Sequence, residues 1–352
     1  MISFVIPARD RHDELARTLR NIGDLDRDGL GGDAEVIVID NASFEPLAAP
    51  RTLSNGLRVT LERVDTNLGA AARNHGASMA NYPWLVMLDD DSSPKARDFA
   101  ATLAEAPADI GAIGGEIVLP SGERESGGLP EVIIGCGAAV RRDLFLELGG
   151  YDASFGYYAE EYDLCARLIA TGHRIAHTTS IGFEHRKTKS GRSMDVILGR
   201  LVRNNGWTLQ RYAPASERAG VIADMIARYR SIAEKEDAVS GFESGLHELQ
   251  ETIDDQPRRE MSDDAWARFT GEAAVRAEIG PRVAGAAWRL VDGGKGREIV
   301  ERVVFEEGGE IDERATQRLV ATISPGPMLD ACDRDPDAVA PWRVSDRWPV
   351  SA

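Results

Sequence analysis

Cysteine is scarce in this 352-residue chain, and the three present, Cys136, Cys165 and Cys332, are widely separated. With an odd count and no pair at metal-ligand spacing, they argue against a disulfide framework or a thiolate zinc site and suit a reducing cytoplasm. Basic residues are outnumbered by acidic ones, for a formal net charge of -17, so the chain lacks the cationic footprint that nucleic acid or an anionic membrane surface demands. Long apolar runs are lacking too: the longest uncharged stretch near the middle, residues 132–140, is far too short to span a bilayer. The apolar opening Ile2-Ser3-Phe4-Val5-Ile6 has no basic leader and is broken by Pro7, which reads as a first strand and not a signal peptide. No G-x-G-x-x-G turn follows that strand, which argues against a nicotinamide-dependent dehydrogenase. What remains is a globular composition with length enough for one large domain or two ordinary ones.

The first half alternates strand-like and helix-like segments. Residues 2–6 precede a helix-period segment with Leu15, Leu19 and Ile22 on one face, and residues 35–40 carry the apolar run Val36-Ile37-Val38-Ile39. Residues 59–64 alternate as a strand, residues 68–81 are alanine-rich and helical in character, and residues 84–88 read as strand again. This pattern predicts the α/β class, a Rossmann-like mostly parallel sheet with helices on both faces. Ile113, Ile117-Val118 and Val132-Ile133-Ile134 extend the sheet with a mixed part, and the polar, glycine-rich residues 120–130 form a loop over it. Helices are expected at 143–148, capped by Asp143, and at 160–170, followed by a strand at 174–177. Beyond a helix at 193–211, the pattern is mainly helical: Val221, Met225, Tyr229 and Ile232, then Phe242, Leu246, Leu249 and Ile253, then a helix at 261–276 capped by Ser262 or Asp263. A glycine-rich stretch from Gly280, a strand at 300–305 and a short helix at 313–323 complete the reading.

Three strand ends deliver polar groups to one place. Pro7-Ala8-Arg9 follows the first strand, Asp40-Asn41 the second and Asp89-Asp90-Asp91 the fourth, and in an open α/β sheet the carboxyl ends of parallel strands share the edge where ligands bind. Taken singly, each is an ordinary turn. Three adjacent carboxylates repel one another, so the last needs a compensating cation or full solvation. Between the third and fourth strands, Asn67-Leu68-Gly69 and Arg73 bring small residues and a permanent cation toward the same edge. A metal held by Asp89 and Asp91, with Arg9 or Arg73 nearby, suits a diphosphate.

Val5-Ile6-Pro7, Val38-Ile39-Asp40-Asn41-Ala42-Ser43, Asn67-Leu68-Gly69, Ala72-Arg73-Asn74, Leu88-Asp89-Asp90-Asp91, Gly149-Gly150-Tyr151-Asp152 and Glu160-Glu161-Tyr162-Asp163 occur in that order. The set resembles the family 2 glycosyltransferases of the GT-A fold, over roughly the first two hundred residues. The resemblance implies a catalytic domain at 1–212 and a helical region at 213–352 with an acceptor-side or oligomerisation role. It implies that Pro7, Arg9 and Asp40 hold the base and ribose of a UDP- or dTDP-sugar, with Asn67, Arg73, Asp89 and Asp90 also at the donor. Asp89, Asp91 and His185 would hold Mn²⁺ or Mg²⁺ against the donor diphosphate. A metal-bound diphosphate leaves without a proton, so one base for the acceptor hydroxyl suffices and direct displacement inverts the anomeric centre.

That base lies at Glu160-Glu161. Most relatives carry Glu-Asp there, with the second residue assigned as the base, which points to Glu161 and leaves Glu160 in contention; Asp163 is open to holding the helix start or the acceptor. Acidic residues also favour helix N-termini on purely structural grounds. The basic run Arg186-Lys187-Thr188-Lys189-Ser190-Gly191-Arg192 is read as a lid over the diphosphate, with a solvated loop as the alternative. A sugar nucleotidyltransferase is disfavoured because no glycine occurs in Pro7-Ala8-Arg9-Asp10-Arg11-His12, and a catalytically inactive binding module is disfavoured by the intact Asp89, Asp91 and Glu161. The acceptor stays open among a saccharide, a lipid-linked saccharide and a small metabolite. A homodimer face and peripheral contact with the inner side of a membrane are alternative roles for the C-terminal helices.

Overall fold

A computed structural model describes residues 1–30, 32–95, 98–188 and 193–344. The main sheet contains β1 (Ile2–Ala8), β2 (Ala34–Asn41), β3 (Arg58–Val64), β4 (Trp84–Met87), β5 (Ser92–Pro94), β6 (Ile110–Val118), β7 (Ala138–Arg141) and β8 (Arg174–His185), ordered β3-β2-β1-β4-β7-β6-β8-β5. The β3-β2-β1-β4 half is parallel, β7 is antiparallel to both β4 and β6, β6 and β8 are parallel, and β5 is antiparallel to β8. Alternation along the strands divides the core between the two faces, as the pleat requires. Ile2, Phe4 and Ile6 of β1 pack with Leu15, Leu19 and Ile22 of α1 (His12–Gly23) on one face. Val5, Ile37, Leu85 and Met87 pack on the other with Ala72 and Ala77 of α2 (Ala72–Met79) and Leu164 and Leu168 of α5 (Glu160–Ala170). The short helices α3 (Phe99–Ala104) and α4 (Arg142–Glu147) cover the sheet between them.

Register brings the strand ends together. Ala8 pairs with Asp40, Val5 pairs with Met87, and the Leu88 N–H donates to the Val5 carbonyl at 3.1 Å. The chain segments after β1, β2 and β4 therefore leave along one edge.

The C-terminal region begins with α6 (Met194–Tyr212), whose Ser193 cap accepts from the Val196 N–H, and continues with α7 (Arg218–Lys235) and α8 (Val239–Thr252). Leu198 and Val202 of α6 pack against Met225 and Tyr229 of α7 and Phe242 and Leu246 of α8. After α9 (Asp263–Thr270), capped by Ser262, and α10 (Glu272–Val283), a second sheet forms from β9 (Ala287–Val291), β10 (Glu310–Ile311) and β11 (Gln317–Val320), with α11 (Arg297–Glu306) and α12 (Pro325–Arg334). This sheet is parallel, with β9 at its centre. Among the described residues, no helix is long and apolar enough to cross a membrane.

Several local expectations change. Residues 300–305 are helical, because Val300, Val303 and Val304 are fully buried at helix spacing while Phe305 is exposed, so tertiary burial overrides the strand preference of valine. Residues 317–320 form β11, not a helix, since consecutive Leu319 and Val320 are buried on both sides in a parallel sheet. Helix α4 starts from Arg141 without a side-chain cap, and Asp143 instead pairs with Arg142 in its first turn. Residues 132–134 form no strand: Val132 turns back on Leu129 through paired backbone bonds.

Candidate active site

The three carboxylates after β4 carry protein cations of their own. Arg73, 2% exposed on α2, donates to Asp89 Oδ1 and to the Leu88 carbonyl at 3.0 Å. Arg11 Nη1 forks between Asp90 Oδ1 at 3.0 Å and Asp91 Oδ2 at 3.1 Å. Asp91 Oδ2 also accepts from the Thr188 N–H at 2.9 Å. Burial, helped by the Asp91 and Asp89 charges, pushes the Asp90 carboxyl up to about 7 against the pull of Arg11. Asp91 moves the other way: burial is outweighed by His185, the Thr188 N–H and Arg11, which hold it well below the usual carboxylate range.

His185, at the end of β8, faces Asp91. Its Nδ1 donates to Glu125 Oε2 at 2.8 Å, and its Nε2 lies 3.4 Å from Asp91 Oδ1. Both Nε2 and Asp91 Oδ1 are buried and have no hydrogen-bond partner. Burial opposes a charge on the imidazole, yet Asp91, Cys136 and Glu125 raise it to about 12. The two atoms face each other as an ion pair without a well-formed hydrogen bond, and with the imidazole deprotonated a divalent cation would take the place of that pairing. Asp89, Cys136 and His185 also offer ligand atoms within 4.8 Å of one another. The Cys136 thiol is raised to about 11 by burial, so it stays protonated.

The remaining sequence-read positions divide. Pro7 is buried in β1 opposite Ile39. Asp40, 1% exposed, accepts from the Ser43 and Leu47 N–H groups at 2.9 and 3.1 Å and from Arg63 Nη1 at 2.9 Å, so both oxygens brace the loop after β2. Arg9 is not brought to the carboxylates: it is half exposed and pairs with Asp10 at 3.5 Å. Asp10 adopts φ 55, which turns the chain so that Arg11, not Arg9, is the cation delivered. Asn67 is exposed and accepts from the Gly69 N–H at 3.0 Å. Gly69 has φ +62 and presses on the loop before α5 so closely that a Cβ would sit 2.3 Å from the Gly156 carbonyl oxygen.

Glu160 and Glu161 open α5. Glu160 is 4% exposed with Oε2 buried and unpartnered, and burial together with the Glu161 charge pushes its carboxyl well above the ordinary range. Glu161 is less buried, and its Oε1 accepts from the Gly135 N–H at 3.0 Å. A side chain at position 135 would come 2.6 Å from that oxygen. Burial raises Glu161 as well, opposed by backbone N–H groups and Arg73. Asp163 is enclosed: 1% exposed, it accepts from Arg167 Nε at 2.9 Å, Arg211 Nη1 at 2.9 Å and the Tyr212 hydroxyl at 2.8 Å, tying α5 to α6.

The segment read as a lid is anchored where it is described. Arg186 is buried and donates to Glu14 Oε2 at 2.7 Å, Ser93 Oγ at 2.9 Å and Thr18 Oγ1 at 2.6 Å, while Lys187 Nζ reaches Glu125 Oε1 at 2.9 Å. Lys189, Ser190, Gly191 and Arg192 lie outside the described residues. Sequence reasoning missed Arg11, Glu125 and Cys136. Arg11 sits in the same charged run as Arg9, but Glu125 comes from a loop with no periodic signal.

The curled, mostly parallel sheet with its polar carboxyl edge defines a GT-A fold. The solved structure of GalNAc-T7 with UDP, GalNAc and Mn²⁺ is similar with a TM-score of 0.52 at 16% identity, over 72% of this chain and 57% of that one. The mannosyltransferase PcManGT from Pyrobaculum calidifontis, in complex with GDP-Man and Mn²⁺, aligns with a TM-score of 0.45 at 17% identity, over 78% of this chain and 80% of that one. Residues 3–158 match the family model for glycosyl transferase family 2. An uncharacterized glycosyltransferase of Haemophilus influenzae is 26% identical over 197 residues, covering 48% of this chain and 62% of the relative. The chain thus spans less than two thirds of that relative's length.

Proposed function

We propose that this chain is a metal-dependent, inverting glycosyltransferase that moves a sugar from a UDP- or dTDP-sugar to an acceptor hydroxyl. The observation that carries the reading is the buried juxtaposition of His185 Nε2 and Asp91 Oδ1, 3.4 Å apart without a well-formed hydrogen bond at the carboxyl edge of the sheet. Asp91, His185 and Asp89 would hold Mn²⁺ or Mg²⁺. When bound, the cation supplies charge neutralisation and orientation for the departing nucleoside diphosphate. Arg11 and Arg73 keep the three carboxylates in place against their mutual repulsion.

Glu161 is the base in this reading. The Gly135 N–H fixes one of its oxygens, and the residue is less enclosed than Glu160. Glu160 is enclosed, and burial together with the Glu161 charge favours its neutral form. Glu161 takes the hydroxyl proton as the oxygen attacks the anomeric carbon opposite the diphosphate, which inverts the centre. A saccharide, lipid-linked or small-molecule acceptor satisfies this chemistry.

The test is incubation of the full chain with UDP- and dTDP-sugars and Mn²⁺ without acceptor. Release of the nucleoside diphosphate, slow but metal-dependent, is the expected result. No release from any donor, together with no thermal stabilisation by any nucleoside diphosphate plus metal, would overturn the reading.

A further inference from the structure

Glu125 stands behind His185, on the side of the ring away from Asp91. One of its carboxylate oxygens accepts from His185 Nδ1 at 2.8 Å, the other accepts from Lys187 Nζ at 2.9 Å, and the residue is only 6% exposed. A carboxylate can only accept, so a neutral imidazole in this contact keeps its one proton on Nδ1 and presents the Nε2 lone pair to Asp91. Without that partner the ring is free to take the other tautomer or to rotate.

Glu125 belongs to no helix or strand, so its own backbone has to be held by neighbours. On one side, the Glu125 N–H donates to the Ile117 carbonyl of β6 at 2.8 Å. On the other side lies α12, which grips the residues flanking Glu125. Asp330, 206 positions from Arg124, accepts from the Arg124 N–H at 2.9 Å and from Arg124 Nη1 at 2.7 Å, and Asp333 accepts from the same Nη1 at 2.6 Å. Ser324, at the start of α12, accepts from the Gly127 N–H at 3.0 Å and donates to the Gly127 carbonyl at 2.5 Å. In the first turn of α12, a Cβ at Gly326 would come 2.3 Å from the Glu125 carbonyl oxygen, so only glycine lets the helix press this closely on the segment. A chain of printed contacts thus runs from the C-terminal unit through Arg124 and Gly127 to Glu125, and from Glu125 to His185.

Building on the proposed function, we propose that Glu125 is a positioning residue that fixes His185 for the cation, and that α12 holds Glu125 in place through Arg124 and Gly127. The C-terminal unit then helps to build the donor's metal site. Loss of a partner behind a ligating histidine costs about 10- to 100-fold in metal affinity.

The experiment titrates Mn²⁺ calorimetrically into the full chain saturated with UDP, which reads affinity and not turnover. The expected result is a dissociation constant for Mn²⁺ raised at least tenfold in Glu125→Ala, at least threefold in Asp330→Ala, and within threefold of native in Glu125→Gln, whose amide oxygen still accepts from Nδ1. In a His185→Ala background, neither Glu125→Ala nor Asp330→Ala should weaken Mn²⁺ further by more than threefold, because both act through the ring. A direct effect of the Glu125 charge, or of a released Lys187, on the cation would persist without His185. Native Mn²⁺ affinity in Glu125→Ala, a Glu125→Gln variant as weak as Glu125→Ala, or losses that multiply with His185→Ala would each overturn the positioning role. Native affinity in Asp330→Ala beside a weakened Glu125→Ala would overturn the part given to α12. Thermal unfolding of each variant checks that it is folded, and if Glu125→Ala is not, the Asp330→Ala cycle decides. A native chain that binds no Mn²⁺ with UDP, or a His185→Ala variant that binds it at native strength, would count against the proposed function itself.

Discussion

Asn204 Nδ2 donates to the Tyr158 carbonyl at 2.7 Å and reaches the Phe155 and Tyr157 carbonyls at 3.0 Å each. A fully buried side chain of α6 thereby holds the loop that leads into Glu160 and Glu161. In that loop Tyr158 and Ala159 have φ of 75 and 63, a left-handed conformation that costs a non-glycine residue roughly 1–2 kcal/mol.

Removing the Asn204 clamp takes a shared donor from the Tyr157 and Tyr158 carbonyls, while Phe155 keeps Arg203 Nη2 at 3.0 Å, and leaves the strain less opposed. Asn204→Ala is expected to lose about 1–3 kcal/mol of stability and to lower kcat while nucleotide affinity stays near native. Chemical denaturation and UDP titration check the two halves. A native kcat would show that the loop does not set the position of the base.

The raised Glu161 carboxyl has a kinetic consequence. A base works only when ionised, so kcat should fall as pH drops through a value above the ordinary carboxylate range of 4.5 and level off on the alkaline side. Glu161→Gln should keep donor binding and lose transfer by about 100-fold or more. Undiminished turnover would move the role to Glu160 or elsewhere.

His177 supplies a separate stability test. It is enclosed beneath Trp342, its Nε2 donates to the Leu129 carbonyl at 2.9 Å, and burial lowers its pKa from 6.5 to about 4. Between those values the unfolded chain takes up a proton that the folded chain refuses, so His177 makes the protein less stable as pH falls from 6.5 toward 4. The loss attributable to this group is about 1–3 kcal/mol. The native-minus-variant stability difference for His177→Gln should fall as pH drops across that window, and a pH-independent difference would count against a neutral buried imidazole.

The carboxyl edge was legible because apolar runs such as Val36-Ile37-Val38-Ile39 mark strands whose ends are then fixed by topology. Asp91, Arg73 and Glu161 followed from that placement and from the ordered motifs. The choice between Arg9 and Arg11 did not, since it depends on one backbone torsion at Asp10. The Glu125 partnership with His185 spans 60 positions and arises from a folded-back loop, which leaves no periodic mark. In the C-terminal region, Val300, Val303 and Val304 read equally as strand or helix until the surrounding core chooses. Lys295 sat in a glycine-rich stretch whose target, Tyr162, only the tertiary packing reveals.

Calorimetric titration of UDP with and without Mn²⁺, on the native chain and on Asp91→Ala, addresses the donor site most directly. The expected result is that Mn²⁺ tightens UDP binding at least tenfold in the native chain and not at all in Asp91→Ala. An equal metal effect in both proteins would contradict the assignment of Asp91 and its neighbour His185 to the cation.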